Sequence, residues 1–594
     1  MQNNLPVDGQ RLRDFTRTLQ KYKAGKASIE RRCIAAENWW KLRNSAEEAK
    51  EAQSLSGFKA VSGWLHNVLV SKHADGMDAY PQPNILPREP GDAAEARKLS
   101  KILPVVLEQN AFEEVYSDVL WQKLKTGTGV FKVVWDRDKL NGLGDISIQR
   151  VDLLNIFWEP GVGDIQQSAC VFCTSLEDTG LLEQQYPQLK GKLSGNGFSP
   201  SRFQGDDAAY PEGRTLVIEV YYKKRQAGRT VLHYCRYVGE TVLYSTENEE
   251  AAIDCGNPSA PCGGTSPYTG EAVRNGLYNH GQYPFVFDCL FPVEGSPCGY
   301  GFIDLCRNPQ TQIDLLQTAF IRNTMVGAVP RYFRRIDGAI NDSEFLDINR
   351  ALVTVDGNLG EDSLRAIDYR PLSGNYLEVR QNVIEELRET SGNTETSSGV
   401  AGGGVTAASA IAALQEASGK GSRDASRTSY RAYGKVIELC IELIRQFYTL
   451  PRQFRITGAM GAESFVSYSN EALLPRSLGT VAGVELGHYQ PVFDVKVVPE
   501  RQSPYKRMEQ NELALQFYQL GFFQPERAQA ALGCLEMMEF EGREELCRRI
   551  RENALRQQRL ALMTQAARPM TAPDMRQSGA IKAASAAIPG GEAQ

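Results

Sequence analysis

Apolar positions near the start of the chain recur at three- and four-residue steps. Leu12, Phe15, Leu19 and Tyr22 lie on one face of a charged helix. A second helical run carries Trp39, Trp40 and Leu42, and a third carries Phe58, Val61, Trp64, Leu65 and Val68. Pro81, Pro83, Pro87 and Pro90 then impose an extended crossing, because proline has no amide hydrogen to give to a helix. The helical pattern returns from Asp92 to about Lys125, with a break expected at Pro104. The period next becomes two. Val130–Asp136 and Asp145–Val151 flank the turn signal Asn141-Gly142 and predict a hairpin. Strands are expected at Phe157, Cys170–Ser175, Leu216–Tyr222 and Val231–Val238, with a short helix at about Asp178–Tyr186. Residues 191–214 and 246–282 are rich in Gly, Pro, Ser or Asn and read as long exposed loops.

The central third has the more specific pattern. Asn308-Pro309 looks like an N-cap followed by proline at the first helical position, opening a helix to about Gly327 with Ile313, Leu316, Phe320 and Met325. Val329–Ile336 and Ala351–Val355 read as strands around a helical piece near Ser343–Ile348. A helix returns over Tyr376–Thr390 with the stripe Leu377, Ile384 and Leu387. A small insert is thus flanked by two helices that can run antiparallel as its stalk. Ser391–Gly404, SGNTETSSGVAGGG, has almost nothing to bury and is expected to be mobile. A long helix follows over Thr406–Tyr448, where Gly419, Gly421 and Gly434 could bend it. Phe454–Ile456, Ser464–Tyr468 and Phe493–Val498 are candidate strands. From Pro504 to about Ala567 the pattern is helical, with Leu513, Leu515, Phe517, Leu520, Leu532, Leu535 and Met538, and an Ala/Pro/Gly/Ser-rich tail runs to Gln594. No fixed-period repeat is present, and the fold class is α+β and helix-rich.

At 594 residues the chain has room for roughly 3–5 structural units. It carries 66 basic and 72 acidic residues, a formal net charge of −6. Broad nucleic-acid grips usually have the opposite sign, since affinity comes from releasing phosphate counterions. Met1–Lys26 has no secretory pattern. The longest weakly polar stretches, Val405–Leu414 and Pro284–Val293, fall short of the ~20 residues that span a bilayer. No membrane partner is expected, and the 12 cysteines read as reduced thiols.

No pattern points to enzymatic chemistry, a cofactor or a metal. Cys170 and Cys173 sit in an apparent strand, where residues three apart face opposite ways, and Cys255, Cys262 and His280 do not supply a second tight pair. The five histidines, His66, His73, His233, His280 and His488, are dispersed, and His233 reads as packed. Gly419-Lys420-Gly421-Ser422 lacks the preceding glycine and strand of a phosphate loop, and Gly161-Val162-Gly163-Asp164 lacks a third glycine and a helix. Glu385, Glu386 and Glu389 read as an acidic face of an exposed helix, and the mixed charges from Glu541 to Arg559 as a solvated or subunit-facing one. The basic cluster Arg331, Arg334 and Arg335 opens the insert and suits either solvent or a partner or phosphate contact.

The order of parts resembles the portal proteins of tailed bacteriophages. So do the local runs Gly127-Thr128-Gly129-Val130-Phe131-Lys132-Val133-Val134-Trp135-Asp136, Pro83-Asn84-Ile85-Leu86-Pro87-Arg88-Glu89 and Val151-Asp152-Leu153-Leu154-Asn155-Ile156-Phe157-Trp158-Glu159-Pro160. The resemblance covers about residues 30–500 and rests on element order more than on an invariant motif; the loops 191–214 and 246–282 depart from compact portals. It implies a wing over residues 1–300 and 450–503, stem helices over 301–327 and 373–390, and a clip over 328–372. It further implies a tunnel loop over 391–404, a tunnel helix over 405–449 and a helical crown over 504–567, while the composition of 568–594 predicts a disordered tail. Such proteins form a ring of about a dozen copies at one capsid vertex, assembled in the bacterial host cytoplasm. Viral dsDNA enters and leaves through the ring, and the terminase motor, tail adaptor, major capsid and scaffolding proteins are its partners. Asn393, Thr394, Glu395, Thr396, Ser397 and Ser398 would then line the channel, and Arg331, Arg334 and Arg335 would meet DNA or a partner. Uncharged polar groups suit a channel that must not hold DNA at one register. Two other readings are a metal-dependent nuclease or other packaging enzyme, disfavoured by the missing phosphate loop and ligand cluster, and a non-portal adaptor or scaffolding ring.

Overall fold

The computed structural model describes residues 7–42, 59–187, 190–191, 198–203, 213–226, 229–248, 264–265, 272–273, 276–328, 332–334, 343, 364–366, 371–393, 420–457, 463–477, 480–481, 484–485, 488–499, 504–537 and 543–566. They fall into two compact units, Met1–Arg501 and Gln502–Gln594.

In the first unit, the two opening helical runs are one helix, α1 (Gly9–Trp40), capped by Asp8, whose carboxylate accepts the Arg11 amide. The expected division fails because the intervening residues are mostly good helix formers. Gly25, the weakest former, is needed where the helix meets the ring of Pro160, 2.4 Å from where a Cβ would stand. The third run starts at Trp64, giving α2 (Trp64–Asp78). The proline crossing is a strand, β1 (Pro81–Pro87), with one neighbour among the described residues, as befits a segment short of donors. Pro104 does not interrupt α3 (Ala93–Gln109): buried Leu99, Ile102, Leu103 and Val106 on both sides carry the helix through it. The break comes instead at Ala111 (φ 47), ahead of α4 (Phe112–Thr126).

β2 (Thr128–Asp136) and β3 (Asp145–Arg150) form the expected hairpin. β4 (Ile156–Trp158), β5 (Cys170–Asp178), β6 (Arg214–Gln226), β7 (Arg229–Val238) and β8 (Thr241–Ser245) follow as an antiparallel meander, with helix α5 (Thr179–Gln185) between β5 and β6. Its residues alternate between two cores. Phe157, Cys170, Phe172, Val220 and Tyr222 pack with Leu12, Leu19 and Tyr22 of α1, while Trp158, Val171, Cys173 and Tyr221 join the main core. The 246–282 stretch is not loop throughout, since Gly264–Thr265 pairs with Ala272–Val273. β9 (Phe285–Cys289) then returns to the free edge of β2.

α6 (Phe302–Ala328) begins before the expected cap, leaving Pro309 inside the helix. Burial of Phe302, Ile303, Cys306 and Ile313 around a buried Pro309 offsets the lost amide bond. β10 (Tyr332–Arg334) and β11 (Leu364–Ala366) pair antiparallel, so the insert closes on itself. α7 (Asn375–Ser391) packs back on α6, and the Leu372 amide donates to Asn323 Oδ1 at 3.2 Å. Apart from Ser343, the expected helical piece at 343–348 and the strand Ala351–Val355 lie outside the described residues. α8 (Lys420–Phe447) contains Gly421 and Gly434 without a break; residues 406–419 of the expected helix lie outside the described residues. β12 (Arg452–Thr457) pairs with β13 (Glu463–Tyr468), and β14 (Phe493–Pro499) pairs with β1 along its whole length, bringing the last strand of this unit back to its first.

The second unit holds α9 (Pro504–Gln519), α10 (Ala528–Glu536) and α11 (Arg543–Ala566) around Phe517, Ala528, Leu535, Cys547 and Ile550. Leu515 and Leu520, which the pattern placed with Phe517, are exposed. The whole is mixed helix and small sheets, an α+β fold.

Candidate functional site

The end of α7, the start of α8 and the middle of α2 come together in the first unit. α7 stops at Gly392, whose φ of 65° suits glycine and lets the Gly392 and Asn393 amides donate back to Glu389 and Arg388 carbonyls at 3.0 Å. The Gly392 carbonyl is thereby turned toward α2, where Lys72 Nζ donates to it at 3.3 Å. The same ammonium donates to Ser422 Oγ at 3.0 Å, in the first turn of α8. Ser422 Oγ in turn donates to Asp75 Oδ2 at 2.7 Å, and Ser71 Oγ donates to Asn393 Oδ1 at 3.3 Å. Burial lowers the Lys72 pKa and the nearby Asp75 charge opposes that shift.

Further along α8 a second lysine enters from α4. Lys123 is fully buried, pairs with Asp288 of β9 at 2.7 Å, and donates to Ser429 Oγ (2.7 Å), Thr428 Oγ1 (2.6 Å) and the Ala425 carbonyl (3.1 Å). Ser429 Oγ donates to the other Asp288 oxygen at 2.8 Å. These bonds occupy the three donors of the ammonium and one carboxylate oxygen, while Asp288 Oδ1 has the ion pair and no hydrogen bond, so the pair depends on the lysine charge staying in place.

α2 is also fastened to α6. Gln310, Asp314 and Thr318, one helical turn apart, accept the amides of Leu65 (3.0 Å), Ser62 (2.9 Å) and Ala60 (2.9 Å). Gln310 Nε2 also donates to the Ser62 carbonyl at 2.8 Å. Donors at the start of α2 that have no partner within that helix are satisfied by the side chains of another helix. The Arg388 guanidinium of α7 lies 5.5 Å from the Trp64 ring.

Of the residues singled out from sequence, Asn393 stands at this junction. Thr394, Glu395, Thr396, Ser397 and Ser398 lie outside the described residues, as do Arg331 and Arg335. Arg334 ends β10 opposite Leu364. Glu385, Glu386 and Glu389 are exposed on α7. Lys72, Lys123, Asp288 and Ser422 were missed, although the two lysines carried a signal. Lys123 continues the stripe Phe112, Tyr116, Val119 and Thr126, and Lys72 continues Leu65, Val68 and Leu69; each is a charge where helical phase calls for a hydrophobe.

The other candidate chemistries resolve into packing. Cys170 and Cys173 face different cores across β5, and burial raises their pKa values to about 11 and about 12. Cys255 and Cys262 lie outside the described residues. His233 is buried beside Glu247. His280 Nδ1 accepts the Gln282 amide at 3.0 Å, and burial, with the Lys223 charge, pushes its pKa down to about 4. Among the described residues no three His, Cys, Asp or Glu side chains are placed to hold a metal ion, and no helix is long and apolar enough to cross a membrane.

A family model described as phage P22-like portal protein matches residues 78–254 and 298–593. The match passes over 255–297 and runs beyond residue 500, through α9, α10 and α11. No curated protein matches the chain.

Proposed function

The chain belongs to the phage P22-like portal protein family, and from that premise we propose that copies of it close into a ring at one capsid vertex, the channel through which viral dsDNA is packaged and ejected. The family is structural, and a phage portal is a component of the virion capsid. In this reading α6 and α7 are the stem, and the insert between them is the clip offered to the terminase motor and later to the tail adaptor. Residues 391–404 form the tunnel loop, α8 is the tunnel helix, and residues 504–567 build the crown. The remaining strands and helices of the first unit form the wing, which meets the major capsid and scaffolding proteins. Asn393, Thr394, Glu395, Thr396, Ser397 and Ser398 would face DNA with polar, weakly gripping groups. Arg331, Arg334 and Arg335 would meet DNA or an acidic partner surface.

The observation that carries the reading is the apolar dress of the stem. Leu315 (63% exposed), Phe320 and Met325 on α6, with Tyr376, Leu377 (53% exposed) and Val379 on α7, lie on the surface of a single chain. Side chains of this kind on a two-helix stalk suit neighbouring copies in a ring. The ring is tested by negative-stain electron microscopy of the purified protein. Rings of about a dozen subunits with a central hole are expected, and a stable monomer under assembly conditions would sink the reading. Leu315→Glu with Leu377→Glu is expected to leave folded protein that no longer assembles. Deletion of 394–404, which spares the Gly392 cap, is expected to leave rings intact while impairing DNA packaging or retention.

A further inference from the structure

α2 touches every element of the junction and belongs by sequence to none of them. Through its leading segment it is held by Gln310, Asp314 and Thr318 of α6. Through Trp64 it meets Arg388 of α7. Through Ser71 and Lys72 it reaches the end of α7, and through Lys72 and Asp75 the start of α8. Gly76 lets it lie close on α4, where a Cβ would come within 2.6 Å of Leu120. The only side chain in the described structure that donates both to the last carbonyl of the α7 cap and to the first turn of α8 is Lys72.

We infer that Lys72 is a positioning residue, a joint that fixes the end of α7 against the start of α8 and couples both to α6 through α2. Its chemistry suits the task. An ammonium has three donors on a flexible stem, so a single group can serve a carbonyl and a hydroxyl on different helices. Its own side chain is 6% exposed while that of Asp75, 4.0 Å away, is 46% exposed. The joint is therefore dry on the lysine side and open to water on the carboxylate side. Lys123, by contrast, is closed over completely by Asp288, Ser429 and Thr428. A displacement of either helix end would pass through Lys72 to α2 and on to α6. The consequence of that coupling for DNA handling rests on the channel reading above; the joint itself does not.

Millisecond hydrogen exchange on the full chain tests it. Lys72→Met keeps the apolar body of the side chain and removes the terminal ammonium with its donors. Exchange at amides 389–393 and 424–427 is expected to rise about tenfold, as befits loss of hydrogen bonds from a charged group, with 433–447 unchanged. Ser422→Ala, a milder change, should accelerate 424–427 and leave 389–393 as they were. That difference between the variants would not arise from general loosening. Unchanged exchange at both helix ends in Lys72→Met, or equal acceleration through 433–447, overturns the joint. If Lys72→Met does not fold, Ser422→Ala decides alone: acceleration confined to 424–427 supports the joint, and none overturns it. A Lys72→Met chain that exchanges faster yet packages DNA normally supports the joint and shows that DNA handling does not depend on it.

Discussion

Helix α8 is held differently at its two ends. From Ala432 to Phe447 it buries Tyr433, Val436, Ile437, Cys440, Ile441, Leu443 and Ile444, and Phe447 stacks on Trp135 at 4.6 Å. Just beyond, the Tyr448 hydroxyl donates to Asp145 at 2.7 Å, and the Arg452 guanidinium lies 4.2 Å from the Tyr448 ring. From Gly421 to Ser429 the helix carries small and polar residues, and lysines from two other helices, with Asp75 and Asp288, bond to its side chains. Apolar packing is dense, non-directional and hard to yield locally. A few directional bonds to an ammonium can be exchanged for water one at a time. One end of the helix is thus built as part of the core and the other as an adjustable attachment, with the Lys123–Asp288 pair at the border.

The border is where the comparison is easiest to break. Lys123→Met strands the buried Asp288 carboxylate and is expected to cost about 3–5 kcal/mol in denaturant unfolding. Adding Asp288→Leu should recover most of it, because apolar replacement of a whole buried pair is often neutral. Next comes the packed end, where the 276–282 segment docks through the Asn279 amide on Gln446 Oε1 at 2.9 Å. His280 takes up its proton near pH 4 when folded and near 6.5 when unfolded. The unfolded state therefore binds the extra proton first as pH falls, and stability drops between about 6.5 and 4 by up to about 1.4 kcal/mol per pH unit. His280→Gln should flatten that part of the stability–pH curve. Tyr448→Phe removes one bond to a carboxylate that keeps Arg452 as a partner at 3.5 Å, and should cost about 2 kcal/mol. Ser422→Ala at the adjustable end should move the global midpoint by no more than about 1 kcal/mol. A Ser422→Ala cost as large as that of Tyr448→Phe would erase the distinction between the ends.

Much of this architecture was legible in the chain. The hairpin around Asn141-Gly142, the alternation that sends Cys170 and Cys173 to different cores, the returning helix at Tyr376 and the extended prolines at 81–87 all follow from period and from what proline cannot donate. Two of the errors share one cause. Asn308-Pro309 has the local chemistry of a helix start and Pro104 that of a break, yet both prolines sit inside helices, because buried neighbours contributed by distant segments outweigh a single missing amide bond.

By itself, then, the sequence determined the alternation of helix and strand, the returning helix at Tyr376 and the long helix that ends near Tyr448, and it pointed to the family. Tertiary structure alone decided that β1 closes on β14 some four hundred positions later, that β9 completes the hairpin's sheet, and that α2 becomes the plate on which α6, α7 and α8 are joined. Periodicity reports which face of an element is buried, and it is a local quantity. Which partner fills that face, and whether a lysine on an apolar stripe finds a carboxylate, a carbonyl or a serine there, depends on contacts between residues hundreds of positions apart.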